Sequence, residues 1–188
     1  RQSSAASDVY KRQFETPNDK DTICPYLTNL VVFKEEYVIA SFMNNQMALW
    51  NLNGTLLKKY GTMSLDSYTL CLVPGTNKMI TGTGYKTIRV WNVITGALLR
   101  NDIIPESKPF DDTSLPADSG IHAAVAIDSK RAVLGTTGQI IVWDIDRGIK
   151  LQEFDWEEHV VGALCLFEQR YVVAGTLCGA LIMYDIIE

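Results

Sequence analysis

A chain of 188 residues, 47% hydrophobic and 21% charged, is long enough for one domain with a real core. Its formal net charge of −5 offers no clustered basic footprint, so no nucleic-acid partner is expected. The apolar runs are broken by Gly and Thr well short of the ~20 residues that a membrane helix needs, so no membrane partner is expected either.

Residues 3–13 read SSAASDVYKRQ, which matches the in-frame translation of a transposase-type sequencing adapter. Residues 1–13 are therefore set aside as an adapter-derived or disordered leader, with native sequence expected from Phe14. Residues 14–28 (FETPNDKDTICPYLT) are polar and punctuated by proline, a linker with a possible remnant of an outer strand. NLVVF (29–33) then opens a pattern that occurs four times. In the first copy, YVIASF and QMALWNL follow it, separated by Lys34-Glu35-Glu36 and Met43-Asn44-Asn45. Asn53-Gly54, a hairpin signal, leads on into TLLKKYG.

The second copy is LCLV, KMITGT, TIRVWNV and ALLRNDII, closed by Pro74-Gly75, Gly84-Tyr85-Lys86 and Thr95-Gly96. The third is AAVAI, RAVLGT, QIIVWDI and IKLQEF, with turns at Asp128-Ser129-Lys130, Thr137-Gly138 and Asp146-Arg147-Gly148. The fourth reads ALCLF, YVVAGT and ALIMYDI. Helical periodicity is hard to find, and short β-branched runs bounded by turn residues dominate.

The aromatic near the end of each third strand gives the ruler. Trp50, Trp91, Trp143 and Tyr184 recur at intervals of 41, 52 and 41 residues. A period near 40 with four strands per unit is the signature of a β-propeller, each unit being one blade. The expected fold class is all-β: blades that are four-stranded antiparallel meanders, forming a partial or open propeller of about four blades. The propeller region spans 29–188, with blades at about 29–61, 68–104, 121–155 and 162–188. The long interval holds residues 102–120, DIIPESKPFDDTSLPADSG, whose prolines, acids and serines mark an inserted loop that projects into solvent.

The copies, above all TIRVWNVITGALL and IIVWDIDRGIKL, resemble the WD-repeat β-propeller family over residues 29–187. The dipeptide itself is Trp143-Asp144, softened to Trp50-Asn51 and Trp91-Asn92, and to Tyr184-Asp185 in the fourth copy. The resemblance implies that these aromatics fill space between blades. It also implies a buried tetrad of His, Asp, Ser/Thr and Trp, which no copy can complete: the turn positions that would hold Asp carry Asn44, Tyr85, Thr137 and Cys178. Only Glu158-His159 sits where the family places Gly-His, and Arg89 matches a basic residue expected at an inter-blade seam. Four blades are fewer than the seven of the family's commonest ring. The chain is thus expected to be a fragment, with missing blades or fused domains in the full-length protein. A lone open arc would expose sheet faces and an unpaired edge, so on its own the chain is expected to be poorly soluble or to oligomerise.

Candidate chemistry is sparse. The sequence shows no G-x-S-x-G, H-E-x-x-H or Walker loop, and Gly82-Thr83-Gly84 is followed by another strand rather than a helix. No catalytic, cofactor-binding or metal residues are assigned, and no cofactor is expected. His122 and His159 read as structural or loop residues, and Asp111-Asp112 and Glu157-Glu158 as solvated loop charges. The four cysteines lack C-x-x-C spacing. Cys71 and Cys165 lie in apolar runs and read as core thiols, which suits an intracellular setting, cytoplasmic or nuclear.

The functional expectation is a non-catalytic scaffold that binds proteins or peptides through turns and inter-blade connections on one face. Candidate contact residues there are Tyr85, Lys86, Phe110, Trp156 and Glu157, with the two exposed rings as anchors. Trp50, Trp91, Trp143, Asp144, Tyr184 and Asp185 are structural repeat positions. The alternative is a quinoprotein-like propeller enzyme or a periplasmic assembly scaffold. Against it, residues 98–100 (LLR) stand after Thr95-Gly96, where that family would place a Trp.

Overall fold

The computed structural model describes residues 14, 26–42, 46–61, 67–105 and 120–186. Among them there is no helix, and thirteen strands follow one another as antiparallel meanders. β1 (Leu27–Phe33), β2 (Tyr37–Phe42), β3 (Met47–Asn51) and β4 (Leu56–Lys59) form a first four-stranded sheet in sequence order. β5 (Ser67–Leu72), β6 (Lys78–Thr83), β7 (Thr87–Asn92) and β8 (Leu98–Ile103) form a second. The remaining strands share one sheet of order β13-β12-β11-β10-β9: β9 (Ile121–Ala126), β10 (Arg131–Asp144), β11 (Ile149–Phe167), β12 (Tyr171–Thr176) and β13 (Leu181–Asp185).

That last sheet departs from the expected pair of separate blades, and the pairing shows why. A straight 14-residue strand would span about 46 Å, yet the Ile145 N–H donates to Lys130 C=O, at the opposite ends of β10, at 2.7 Å. β10 is therefore a tight hairpin bent at Thr137-Gly138, where Gly138 takes a left-handed φ of 78°. Its first half pairs with β9 and its second half with the start of β11. β11 in turn runs unbroken from the outer strand of the third blade into the inner strand of the fourth, where residues 161–167 pair with β12. The molecule is all-β and built of propeller blades; among the described residues there are two complete meanders, a third containing the β10 hairpin, and three strands of a fourth.

The blades stack through three apolar seams. The first joins Phe33, Ile39, Met47 and Leu49 of blade one to Leu70, Met79 and Trp91 of blade two. The second joins Val73, Ile80, Ile88 and Val90 to Ile121, Leu134 and Trp143. The third joins Ile127, Val133, Ile140 and Val142 to Val161, Val172, Ala174 and Tyr184. Each third-strand aromatic thus faces the preceding blade. Burial of each such ring contributes on the order of 2–3 kcal/mol. Trp50 keeps the same orientation, and Phe14 stands edge-on to it, with ring centroids 6.4 Å apart.

The residue after the aromatic serves the next turn. Asn51 Oδ1 accepts the N–H groups of Asn53 and Thr55, both at 3.0 Å. Asn92 Oδ1 accepts those of Ile94 and Thr95 at 3.0 and 2.9 Å. Asp144 Oδ1 accepts those of Asp146 and Arg147 at 3.0 and 2.8 Å. Amide and carboxylate oxygens act alike here, so the change from Asp to Asn keeps the turn cap. Asp185 differs, pairing with Arg170 across the strand.

Candidate functional site

The turns between second and third strands line one face of the blades. Tyr85 stands at this face in the β6–β7 turn, exposed, its N–H reaching Thr83 Oγ1 at 3.4 Å. Lys86, expected beside it on the surface, is buried instead. Its backbone explains the difference: Lys86 takes a left-handed φ of 51°, and its C=O accepts the Ile104 N–H at 3.0 Å, locking the residue against the end of the outer strand. Phe110 lies outside the described residues, as do the side chains of Trp156, Glu157 and His159. Of the candidate contact residues, Tyr85 and Lys86 are thus the described members, and Tyr85 is the exposed one.

The corresponding turn of the fourth blade adds two residues that sequence reading passed over. Leu177 is exposed, and beside it Cys178 is an exposed free thiol whose Sγ lies 2.9 Å from Thr176 Oγ1. That hydrogen bond lowers the thiol pKa from its ordinary value. The signal available in sequence was positional: Cys178 occupies the turn position that Tyr85 holds in blade two.

The other flagged groups fall on the framework. Trp50, Trp91 and Trp143 are buried and Tyr184 is half-buried. Trp91 Nε1 donates to Thr81 Oγ1 at 3.1 Å. In blade three Leu134 stands at the position of Thr81, and Trp143 Nε1 is buried with no acceptor among the described residues. Arg89 is buried on the same sheet face as Thr81 and Trp91; its Nε donates to Asn101 Oδ1 at 3.0 Å, and burial lowers its pKa. His122 Nε2 lies 3.5 Å from Thr137 Oγ1 at the head of β9. Cys165 corrects the expectation of a core thiol: it holds the register position that Cys71 holds in blade two, but the sheet face it shares with Met183 has no blade packed on it among the described residues, and it is exposed. Cys71 is buried as expected, and burial pushes its thiol up to about 11.

At the opposite face, an open cleft between blades one and two is lined by Phe33, Lys34, Val73, Pro74 and Asn77. It gathers no set of nucleophile, base and orienting group. Among the described residues no three of His, Cys, Asp and Glu converge as a metal site would require.

No family model matches the chain. Over 153 residues it is 28% identical to the eukaryotic translation initiation factor 3 subunit I of Aspergillus niger (strain ATCC MYA-4892 / CBS 513.88 / FGSC A1513), an alignment covering 73% of this chain and 42% of that protein. The chain thus spans less than half the length of this relative. The crystal structure of the computationally designed Ika4 protein matches with a TM-score of 0.70 at 22% identity, over 94% of this chain and 99% of that one. At that identity the likeness speaks for fold alone. Structure and comparisons together describe an all-β chain of propeller blades, similar in sequence to a translation initiation factor subunit.

Proposed function

We propose that this chain is part of a non-catalytic protein–protein interaction scaffold of the WD-repeat kind, contributing a rigid stack of blades to a larger assembly. The likeness to translation initiation factor 3 subunit I suggests the assembly: a multi-subunit translation initiation complex, with a cytoplasmic rather than nuclear setting. The observation that carries the reading is a division of labour among aromatics. The third-strand rings are spent on the seams, whereas Tyr85 projects from a turn on the face where blades present their connections. An exposed aromatic on a rigid support loses little entropy on binding and is the residue type enriched at interaction hot spots. Tyr85, Phe110 and Trp156 form the proposed contact set, with Glu157 beside them.

The test is co-purification. The tagged chain, expressed in a filamentous fungus, is expected to recover subunits of translation initiation factor 3. Tyr85→Ala combined with Phe110→Ala and Trp156→Ala is expected to reduce that recovery about tenfold or more, the scale of one or two lost hot spots. Recovery of none of those subunits, or unchanged recovery by the triple variant, contradicts the proposal.

A further inference from the structure

Apolar seams are non-directional, so they hold two blades together without fixing the angle between them. At the first two seams a directional contact is added at the rim, on the face opposite Tyr85, and it is built the same way both times. Lys58 pairs with Leu49 and Arg100 with Val90, so each stands on an outer strand opposite the residue that precedes the third-strand aromatic. From there each side chain crosses to the third-to-fourth-strand turn of the next blade and donates to a main-chain carbonyl. Lys58 Nζ reaches Thr95 C=O at 2.8 Å, and Arg100 Nη1 reaches Asp146 C=O at 3.1 Å. The blade fold itself does not demand a cation here, since the same position in blade three holds Gln152.

The receiving turns are shaped for these side chains. Gly96 and Gly148 take left-handed φ values of 77° and 66°. That conformation alone would admit asparagine as well as glycine. The space above the two residues is more selective. A Cβ on Gly96 would lie 3.0 Å from Lys58 Cδ, and one on Gly148 would lie 2.6 Å from Arg100 Cζ. Each cationic side chain therefore rests against a bare Cα of the neighbouring blade. Arg100 is also held ready on its own strand, where Asp102 accepts its Nε and Nη2 at 2.8 Å each. Asp146 is gripped twice from blade two, at its carbonyl by Arg100 and at its carboxylate by Lys78.

We propose that Lys58 and Arg100 are straps that fix the angle of each blade against the one before it, with Gly96 and Gly148 as their seats. Both ends of each strap lie within this chain, so the device is complete in the stack of blades one to three.

Double-mutant cycles across each seam, read as melting temperatures, test this. Gly148→Asn keeps a residue that tolerates left-handed φ but fills the seat of Arg100, and is expected to lower the melting temperature by about 3 °C or more. In an Arg100→Ala background the same substitution is expected to cost less than about half as much, because the strap is already gone. Gly96→Asn and Lys58→Ala are expected to couple in the same way, whereas the crossed pair Gly148→Asn with Lys58→Ala is expected to be additive. Should an asparagine variant fail to fold, amide hydrogen exchange decides on the strap variants alone. The Gly96 and Gly148 N–H groups bond to Asn92 and Asp144 C=O within their own turns, at 2.8 and 2.9 Å. Arg100→Ala is expected to speed exchange at Gly148 about three- to tenfold and to leave Gly96 unchanged, and Lys58→Met is expected to do the reverse. Glycine substitutions that cost the same with and without the strap, or strap variants that speed both turns alike or neither, would overturn the proposal.

Discussion

Thr81 and Leu134 occupy the same register position in two blades, yet one gives a tryptophan its hydrogen bond and the other leaves the indole N–H buried without an acceptor. An orphaned buried donor costs about 1–3 kcal/mol, so this asymmetry is measurable. Thr81→Val keeps the shape and removes the acceptor for Trp91. It is expected to lower unfolding free energy by about 1–2 kcal/mol in chemical denaturation. This polar contact is thus a local contributor within seams built of apolar side chains. Two buried acids set a second expectation at this scale. Burial raises the Cys71 thiol from 9.0 to about 11, and burial likewise raises Tyr60, whose hydroxyl donates to Val93 C=O at 2.8 Å. Both hold their protons more tightly when folded, so the unfolded chain ionises first as the pH climbs. Their contribution is intact below about pH 9 and is lost above it, at about 1.4 kcal/mol per pH unit for each group in its window. Melting temperatures measured from pH 8 to 11 should fall, and Cys71→Ala should flatten the first part of the fall.

At the scale of the element, the aromatic ruler made the strands legible, since a repeated Trp with a turn-capping Asn or Asp fixes strand and turn together. The first-to-second-strand turns of blades one and four were harder to read. Lys34 and Glu35 take φ values of 52° and 55°, and Glu168 and Gln169 take 52° and 54°. With the bonds from Glu36 N–H to Phe33 C=O and from Arg170 N–H to Phe167 C=O, these are type I′ turns built without Gly or Asn. Composition marks them as turns but not as left-handed ones. Replacing Lys34-Glu35 by Asn-Gly relieves the Cβ strain and is expected to stabilise the chain by about 1 kcal/mol, roughly 2–4 °C in a thermal melt. The hairpin inside β10 was legible from its Thr137-Gly138 turn, whereas the continuous β11 was not, because a crossover that stays extended carries no Gly or Pro to mark a break. Lys86 and Cys165 show the limit for single residues. A lysine in a turn and a cysteine in an apolar run read as surface and core, and the backbone conformation of one and the uncovered sheet face of the other reverse both.

Across the whole molecule, equivalent blades stack in series through matched faces, and among the described residues the face of the fourth that carries Phe167, Leu181 and Met183 is exposed. Three glycines at one register position probe this together. Gly82→Ala and Gly135→Ala drive a methyl into Ile121 and Val161, whereas Gly175→Ala has only its own blade's side chains at ordinary contact distance. Overpacking of this kind costs about 1–3 kcal/mol, or about 2–4 °C per kcal/mol for a chain of this size. The deciding measurement is the melting temperature of the three variants beside the parent chain, all at one protein concentration. Stacking through matched faces predicts a clear drop for Gly82→Ala and Gly135→Ala and little change for Gly175→Ala. Equal losses at all three positions, or no loss at Gly82 and Gly135, would contradict it.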